Sequence, residues 1–335
     1  MHPTTASFPL RLVCLSDDPT LADELAAALA PLGEAVALTV TDPDAPDLDG
    51  VSRAHGLLCG PLPGPVRAAL GPDLRWVQFW SAGVDGKLSP ELFGDVARPV
   101  RVCTGSGIHA TSCSEHVLAL MLAFARGLPP AFAAQQKRDW EARHEIAKAQ
   151  FELEGKTVGI VGAGTIGQAI GARCQAFGMR TIGLRRDPSK PTHGMDIVLP
   201  HLQYHELILD SDFVVLALPL TPDTRLMFGE DEIEIIRKSA YVINIGRGGL
   251  IDETWLIRAL QNRWIAGAGL DVFVDEPLPP DSPFWGLPNV LLTPHVGGGE
   301  GPRFWPRFAR LAATQAERLL RGEPLVNVVD PDRGY

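Results

Sequence analysis

The sequence predicts an α/β chain of two domains, each built on a doubly wound parallel sheet. Three observations carry this. At 335 residues the chain is longer than one ordinary hydrophobic core organises. Short apolar runs alternate with helical patterns along its length, the grammar of strands crossed by helices. A glycine-rich loop, "GAGTIG", lies mid-chain between an apolar run and a helical pattern, where such sheets turn from strand into helix.

In order, "LRLVCLS", "AVALTV", "HGLLCG", "RWVQFW" and "VRVCTG" read as buried strands of the first third. Between the first two, "TLADELAAALAPLG" is an amphipathic helix with Thr20 as its expected N-cap and Gly33 as its stop. The Pro/Gly-rich pieces are loops. A long helix, "SCSEHVLALMLAFARGL", and a polar stretch, "PPAFAAQQKRDWEARHEIAKAQ", follow. From Thr157 a second series runs through "TVGIVG", "MRTIGL", "DFVVLAL", "AYVINIG", "AGAGLDVF" and "NVLLTP", six strands that complete a doubly wound sheet. A last helix is expected from about Arg303 to Leu320.

Composition narrows the function. A formal charge of -10 argues against nucleic-acid binding, which needs a basic face. No apolar run reaches the roughly 18 residues of a membrane span, and "MHPTTASFPLRLVCLSDD" lacks the pattern of a secretory leader. A cytoplasmic protein without membrane partners is the expectation. The cysteines (Cys14, Cys59, Cys103, Cys113 and Cys174) form no C-x-x-C pair, so reduced, packed thiols and no metal site are expected.

Two stretches fit G-x-G-x-x-G/A: "GSGIHA" at 105–110 and "GAGTIG" at 162–167. The second follows the strand "KTVGIV", opens the helix "IGQAIGARCQAFG" and leads into "MRTIGL", a compact βαβ unit that sets a pyrophosphate at a helix N-terminus. Gly162 allows the tight turn, Gly164 lets the backbone approach the phosphates, and Gly167 lets helix and strand pack closely. "GSGIHA" meets no strand before Thr157 and reads as a crossover between domains.

The strand "MRTIGL" ends where NAD-binding folds place a carboxylate on the adenosine ribose. Here Arg185 and Arg186 come first and Asp187 follows. A guanidinium can fork onto a 2′-phosphate, whereas a carboxylate repels it. NADP(H) is therefore the expected preference, with NAD(H) also admitted. The alternative is that both arginines are solvated and Asp187 takes the ribose.

Three segments fall at the C-terminal ends of later strands, where open α/β sheets hold their ligands: "INIGRGGLID", "GLDVFVDEP" and "LLTPHVGGG". They supply Arg247, Glu276 and His295. Singly, these read as a surface charge in a Gly-rich turn, a loop carboxylate and a loop histidine. Together at three strand ends they read as a catalytic set.

The order "NIGRGGLIDE", "AGAGLDVFVDEPLP", "PNVLLTPHVGG", "GEPLVNVVD", with "GIVGAGTIGQAIGARCQAFGM" and "WSAGVDG" upstream, resembles the D-isomer-specific 2-hydroxyacid dehydrogenase family, and "TGSGIHATSCSEHVLALMLAFARGLP" is similar to its glyoxylate/hydroxypyruvate reductase-like members. The resemblance implies a flavodoxin-like substrate domain from residues 1–108 and 303–335, a Rossmann-like NAD(P)-binding domain at 109–302, and an active-site cleft between them. It implies that His295 exchanges a proton with the 2-oxo oxygen of a small 2-oxo or 2-hydroxy acid, that Glu276 fixes the imidazole, and that Arg247 binds the carboxylate or carbonyl. Thr165, Ile166, Pro219, Thr224, Ile245 and Asp271 are carried over as cofactor contacts, Asp271 for the nicotinamide carboxamide. Ala82 and Gly83 would hold the substrate carboxylate on main-chain N–H groups, and Trp80 would line the pocket. A homodimer is implied, with residues 128–150 as an arm and Trp140 as an interface anchor or a visitor to the neighbouring site.

Two departures stand out: "HVGGGEGPRFW" lacks the family's small hydroxyl residue after the histidine's glycine, and Phe284 and Trp285 replace a leucine and an aromatic. His116 is expected in helix packing, with His109 and His144 on loops or surface. Other readings of the same scaffold are a dehydrogenase-like NAD(H)-sensing corepressor and a phosphite dehydrogenase. A lysine in the "SAGVDG" loop would favour the latter, and Lys87 lies past that loop in the sequence.

Overall fold

The first strand, β1 (Leu10–Leu15), shows how each sheet is covered on both faces. Leu10, Leu12 and Cys14 pack with Leu21, Leu25, Trp76 and Phe308, while Val13 and Leu15 pack with Val51, Leu57 and Phe79. A period of two with both parities buried is the signature of a parallel sheet between helix layers. The computed structural model describes residues 9–95, 98–331 and 333–334. Residues 1–8, part of the stretch read for a leader, lie outside them. Two compact units result, one made of the chain up to His109 and from Glu300 onward, the other of Ala110–Gly299.

In the first unit β1 is followed by α1 (Pro19–Leu29), β2 (Val36–Thr41), α2 (Leu48–Ser52), β3 (Gly56–Cys59), α3 (Gly64–Ala68) and β4 (Trp76–Phe79). A two-residue hairpin, β5 (Gly94–Asp95) with β6 (Arg98–Pro99), precedes β7 (Arg101–Cys103). The main sheet runs β2-β1-β3-β4-β7, all parallel, and the C-terminal helix (Phe304–Leu320) packs on the α1 side. Thr20 is not the N-cap of α1. Asp18 is, its carboxylate accepting the Thr20 N–H at 2.8 Å, because Pro19 brings a helical φ and no N–H to the first position. Gly33 likewise does not stop α1; it lies at φ 54° inside the 3₁₀ turn Ala30–Ala35 that follows.

The second unit begins with α4 (Ala110–Ala125), whose buried face carries Val117, Leu120 and Met121. The polar stretch after it forms α5 (Leu128–Lys137) and α6 (Arg143–Ala149), neither with a buried residue. Then come β8 (Thr157–Val161), α7 (Thr165–Ala176), β9 (Arg180–Arg185), β10 (Ile197–Pro200), α8 (Tyr204–Asp210), β11 (Phe213–Leu216), α9 (Glu230–Ile235), β12 (Tyr241–Asn244), α10 (Glu253–Gln261), β13 (Gly267–Leu270) and β14 (Val290–Leu292). The sheet is β10-β9-β8-β11-β12-β13-β14, all parallel. Winding reverses between β8 and β11, so a crevice opens at their C-terminal ends.

That sheet has seven strands, one more than the expected six. The extra strand, β10, reads "IVLP" on the edge with no fully buried residue, so it lacks the apolar run that marks its neighbours. All five cysteines are free and buried. Burial pushes the Cys14, Cys103 and Cys174 thiols up to about 12 and that of Cys113 to about 11. Among the described residues, no single helix is long and apolar enough to cross a membrane.

Candidate active site

The crevice of the second unit starts at the glycine loop. Gly162 leaves β8 at φ 108°, and a Cβ there would lie 2.5 Å from the Ala217 carbonyl oxygen. A Cβ on Gly167 would lie 2.1 Å from the Gly162 carbonyl oxygen, so helix and loop touch as closely as backbone allows. At Gly164 a Cβ would meet nothing within 4 Å. Gly164 is also the N-cap of α7, with no side chain to cap the N–H groups that begin at Thr165 and Ile166. An open approach to uncapped donors at the positive end of a helix dipole suits an anion, and these residues fit a dinucleotide pyrophosphate.

The loop is tied directly to β9. Gly162 and Ala163 both donate their N–H to the Leu184 carbonyl, at 3.1 and 2.8 Å, which sets Arg185 beside the glycines. Arg185 is half-buried and reaches the Lys190 carbonyl at 3.5 Å, whereas Arg186 is exposed. Asp187 accepts the Ser189 hydroxyl and N–H at 2.6 and 3.1 Å, and these bonds hold its carboxyl below the usual range. Its carboxylate is thus engaged within its own turn. Across the crevice, Pro219 and Thr224 close a turn after β11 (Thr224 Oγ1 donates to the Pro219 carbonyl at 2.8 Å), and Ile245 follows β12 with its N–H on the Leu216 carbonyl at 3.2 Å.

His295 and Glu276 meet. The imidazole Nδ1 lies 2.7 Å from Glu276 Oε2, while the other carboxylate oxygen accepts the Phe273 N–H at 2.9 Å. Both carboxylate oxygens are therefore placed by the protein, and with Nδ1 on Glu276 it is Nε2 that could exchange a proton. His295 itself sits at φ 53°, a left-handed conformation costing of order 1–3 kcal/mol. Asp271, only 2% exposed, offsets that cost. Its carbonyl takes the His295 N–H at 2.8 Å, and its carboxylate takes Val296 N–H at 2.9 Å, Gly297 N–H at 2.8 Å and the Thr293 hydroxyl at 2.6 Å. Bonds to a carboxylate stabilise by roughly 1.5–3 kcal/mol each, so the clamp outweighs the strain.

Arg247 follows β12, and its Nη1 donates to the Gly246 carbonyl at 2.7 Å. Its loop presses on the one that carries Glu276, since a Cβ on Gly248 would fall 1.9 Å from the Phe273 carbonyl carbon. Asn244 fixes the loop by donating to the Arg247 carbonyl at 2.9 Å and accepting the Gly246 N–H at 3.0 Å.

In the first unit, Trp80 follows β4, half-buried in an aromatic cluster. Its ring meets Trp305 and Phe308 edge-on at 5.5 and 5.8 Å and covers Gly60, where a Cβ would lie 2.4 Å from the indole. Ala82 and Gly83 lie in the loop that follows. Ser81 pins that loop by accepting the Gly105 N–H on its carbonyl at 2.8 Å and donating its hydroxyl to the Gly83 carbonyl at 2.7 Å. Lys87, which lies past that loop in the sequence, folds back so that Nζ donates to Ser81 Oγ at 2.7 Å. A single turn at Gly86, φ 69°, allows the return.

Three residues exceed what the sequence offered for them. His116 does more than pack: Nε2 lies 3.0 Å from Thr293 Oγ1. Thr293 belongs to no motif of its own, and its hydroxyl, two residues before the histidine, serves the buried carboxylate of Asp271. His109 bonds the Trp80 carbonyl through Nε2 at 3.0 Å and packs on Phe304, while His144 is on the surface near Glu141.

Comparison with known proteins agrees with this architecture. Residues 118–297 match the family model for the D-isomer specific 2-hydroxyacid dehydrogenase NAD binding domain. A glyoxylate reductase of Korarchaeum cryptofilum is 34% identical over 283 residues, 82% of each chain. The D-isomer specific 2-hydroxyacid dehydrogenase of Xanthobacter autotrophicus Py2, solved with NADPH and MES, superposes with a TM-score of 0.81 at 29% identity, covering 98% of this chain and 100% of that one. The NADPH-dependent glyoxylate/hydroxypyruvate reductase of Sinorhizobium meliloti, solved with NADP and sulfate, gives 0.80 at 29%, covering 97% and 99%. The chain therefore belongs to the D-isomer specific 2-hydroxyacid dehydrogenases and is an NAD(P)-dependent oxidoreductase.

Proposed function

We propose that this enzyme is an NADPH-preferring reductase of small 2-oxo acids, with glyoxylate and hydroxypyruvate as its first candidates and a D-2-hydroxy acid as product. The observation that carries the reading is the 2.7 Å pair of His295 and Glu276. Bound nicotinamide supplies the hydride to the carbonyl carbon. His295 Nε2 gives a proton to the carbonyl oxygen and recovers it in the reverse direction, which a histidine does near neutral pH. Glu276 holds Nδ1 and balances the imidazolium. Arg247 steadies the negative charge that develops on the oxygen, and the main-chain N–H groups of Ala82 and Gly83 take the carboxylate.

For the cofactor, Arg185 beside the glycine loop and the engagement of Asp187 with Ser189 favour a 2′-phosphate over a bare ribose. The NADPH- and NADP-bound relatives support the same choice. NAD(H) is the poorer substrate on this reading, and the active species is a homodimer.

One observation favours a second substrate. Lys87 stands on Ser81, in the loop assigned to the substrate anion, so phosphite oxidation belongs in the same test. The test is a panel of glyoxylate, hydroxypyruvate, pyruvate and phenylpyruvate with NADPH and NADH, and phosphite with NADP and NAD. Fastest turnover of glyoxylate or hydroxypyruvate with NADPH is expected. Turnover of phosphite alone would replace the reading, and no turnover at all would point to a nucleotide-sensing role.

A further inference from the structure

Helix α4 reaches the loop that carries His295 at two points. Ser112 and His116 are one turn apart and so share a face of the helix. Ser112 Oγ donates to the Gly298 carbonyl, beyond the histidine, and His116 lies against Thr293, before it. The ring of His116 also lines Gly297, where an added Cβ would meet its Cδ2 at 3.2 Å and Asp271 Oδ2 at 2.8 Å.

The bond directions follow from proton counting. Thr293 has one hydroxyl proton, and it points to Asp271 Oδ1 at 2.6 Å. At 3.0 Å the contact with His116 must then be Nε2–H donating to Thr293 Oγ1. His116 Nε2 is also 3.6 Å from Asp271 Oδ1, close enough to favour the carboxylate's charge and too far for a second bond. A relay results, from His116 through Thr293 to Asp271, ending on the N–H groups of Val296 and Gly297. His116 is 18% exposed, so water does not readily replace its bond.

We propose that His116 is a positioning residue for catalysis: with Ser112 it latches α4 onto the 293–298 loop and, through Thr293 and Asp271, holds His295 in its left-handed, reactive orientation. This rests on the reading of His295 as the proton donor. The latch acts on the placement of the imidazole, so its loss affects turnover more than substrate binding.

The test compares His116→Leu, His116→Gln and the near-isosteric Thr293→Val in the intact protein, with His295→Asn as control. His116→Leu and Thr293→Val should lower kcat about tenfold with KM for NADPH within about twofold, and His116→Gln, which keeps a donor near Nε2, should recover most of it. Hydrogen exchange across residues 293–299 should speed up about tenfold in both disrupting variants and stay slow with Gln. That readout needs no substrate, and Thr293→Val decides the matter if His116→Leu does not fold. Wild-type kcat and exchange in Thr293→Val would overturn the latch, as would a folded His116→Leu that Gln does not rescue. If His295→Asn turns over normally, the proton-donor reading fails instead, and exchange alone then reports on the latch.

Discussion

The proposed preference for NADPH rests on single residues. Arg185 is placed by two backbone bonds from the glycine loop to Leu184, its neighbour, while Asp187 is held by Ser189. A charge-assisted bond to a phosphate contributes roughly 1.5–3 kcal/mol, about tenfold or more in affinity. Replacing Arg185 and Arg186 together with alanine should therefore raise KM for NADPH at least about tenfold and KM for NADH by less than about twofold. Steady-state kinetics with both cofactors reads this. Equal effects on the two would return the arginines to solvent. The strand-end placement of Arg247, Glu276 and His295 was legible in the sequence, and the structure brings His295 and Glu276 together. Lys87 and His116 were not legible, because their partners, Ser81 and Thr293, are brought to them by a tight turn and by packing of a helix 177 positions away in the chain.

At the scale of elements, strand interiors announced themselves through apolar runs, and the ends and edges did not. The N-cap of α1 moved from Thr20 to Asp18 because Pro19 decides where the helix begins. The edge strand β10 escaped notice because side chains, more than burial, hold it in place. Asp196, just before it, accepts Thr181 N–H at 2.8 Å and Thr181 Oγ1 at 3.1 Å on β9, and Gln175 Nε2 at 2.8 Å from α7. The Thr181 N–H leads in holding its carboxyl below the ordinary value. A folded pKa below the unfolded one contributes stability that is full above the unfolded value and lost as pH falls through the folded value. Asp196→Asn should accordingly lower stability by about 1 kcal/mol at pH 7, a figure discounted for exposure of the site. The gap in Tm between variant and wild type should narrow as pH is lowered toward 3 and below. A gap constant across that range would mean that the charge contributes nothing.

At the scale of the molecule, two parallel α/β sheets follow from the repeated alternation of apolar runs and helices, and the seven-stranded sheet gathers the glycine loop and the Arg247, Glu276 and His295 loops at one end of its strands. Assembly is a matter of surface. Phe132 is 60% exposed and Trp140 77%, in the 128–150 segment that buries no residue of its own helices. We propose these aromatics as part of the dimer interface, where exposed apolar surface would be covered. Light scattering of the purified protein should give twice the 36.1 kDa of a single chain, and Phe132→Ser with Trp140→Ser should shift it toward one. A single-chain mass for the unaltered protein would contradict the dimer.

We propose that His295, held by Glu276 and Asp271, moves the proton of a 2-oxo acid reduction. The most direct measurement is kcat for glyoxylate and hydroxypyruvate reduction by His295→Asn, alongside its affinity for NADPH. Loss of a general acid costs at least about a hundredfold, so turnover should fall by that much while NADPH binds as before. Near-normal turnover with NADPH bound would exclude His295 as the proton donor.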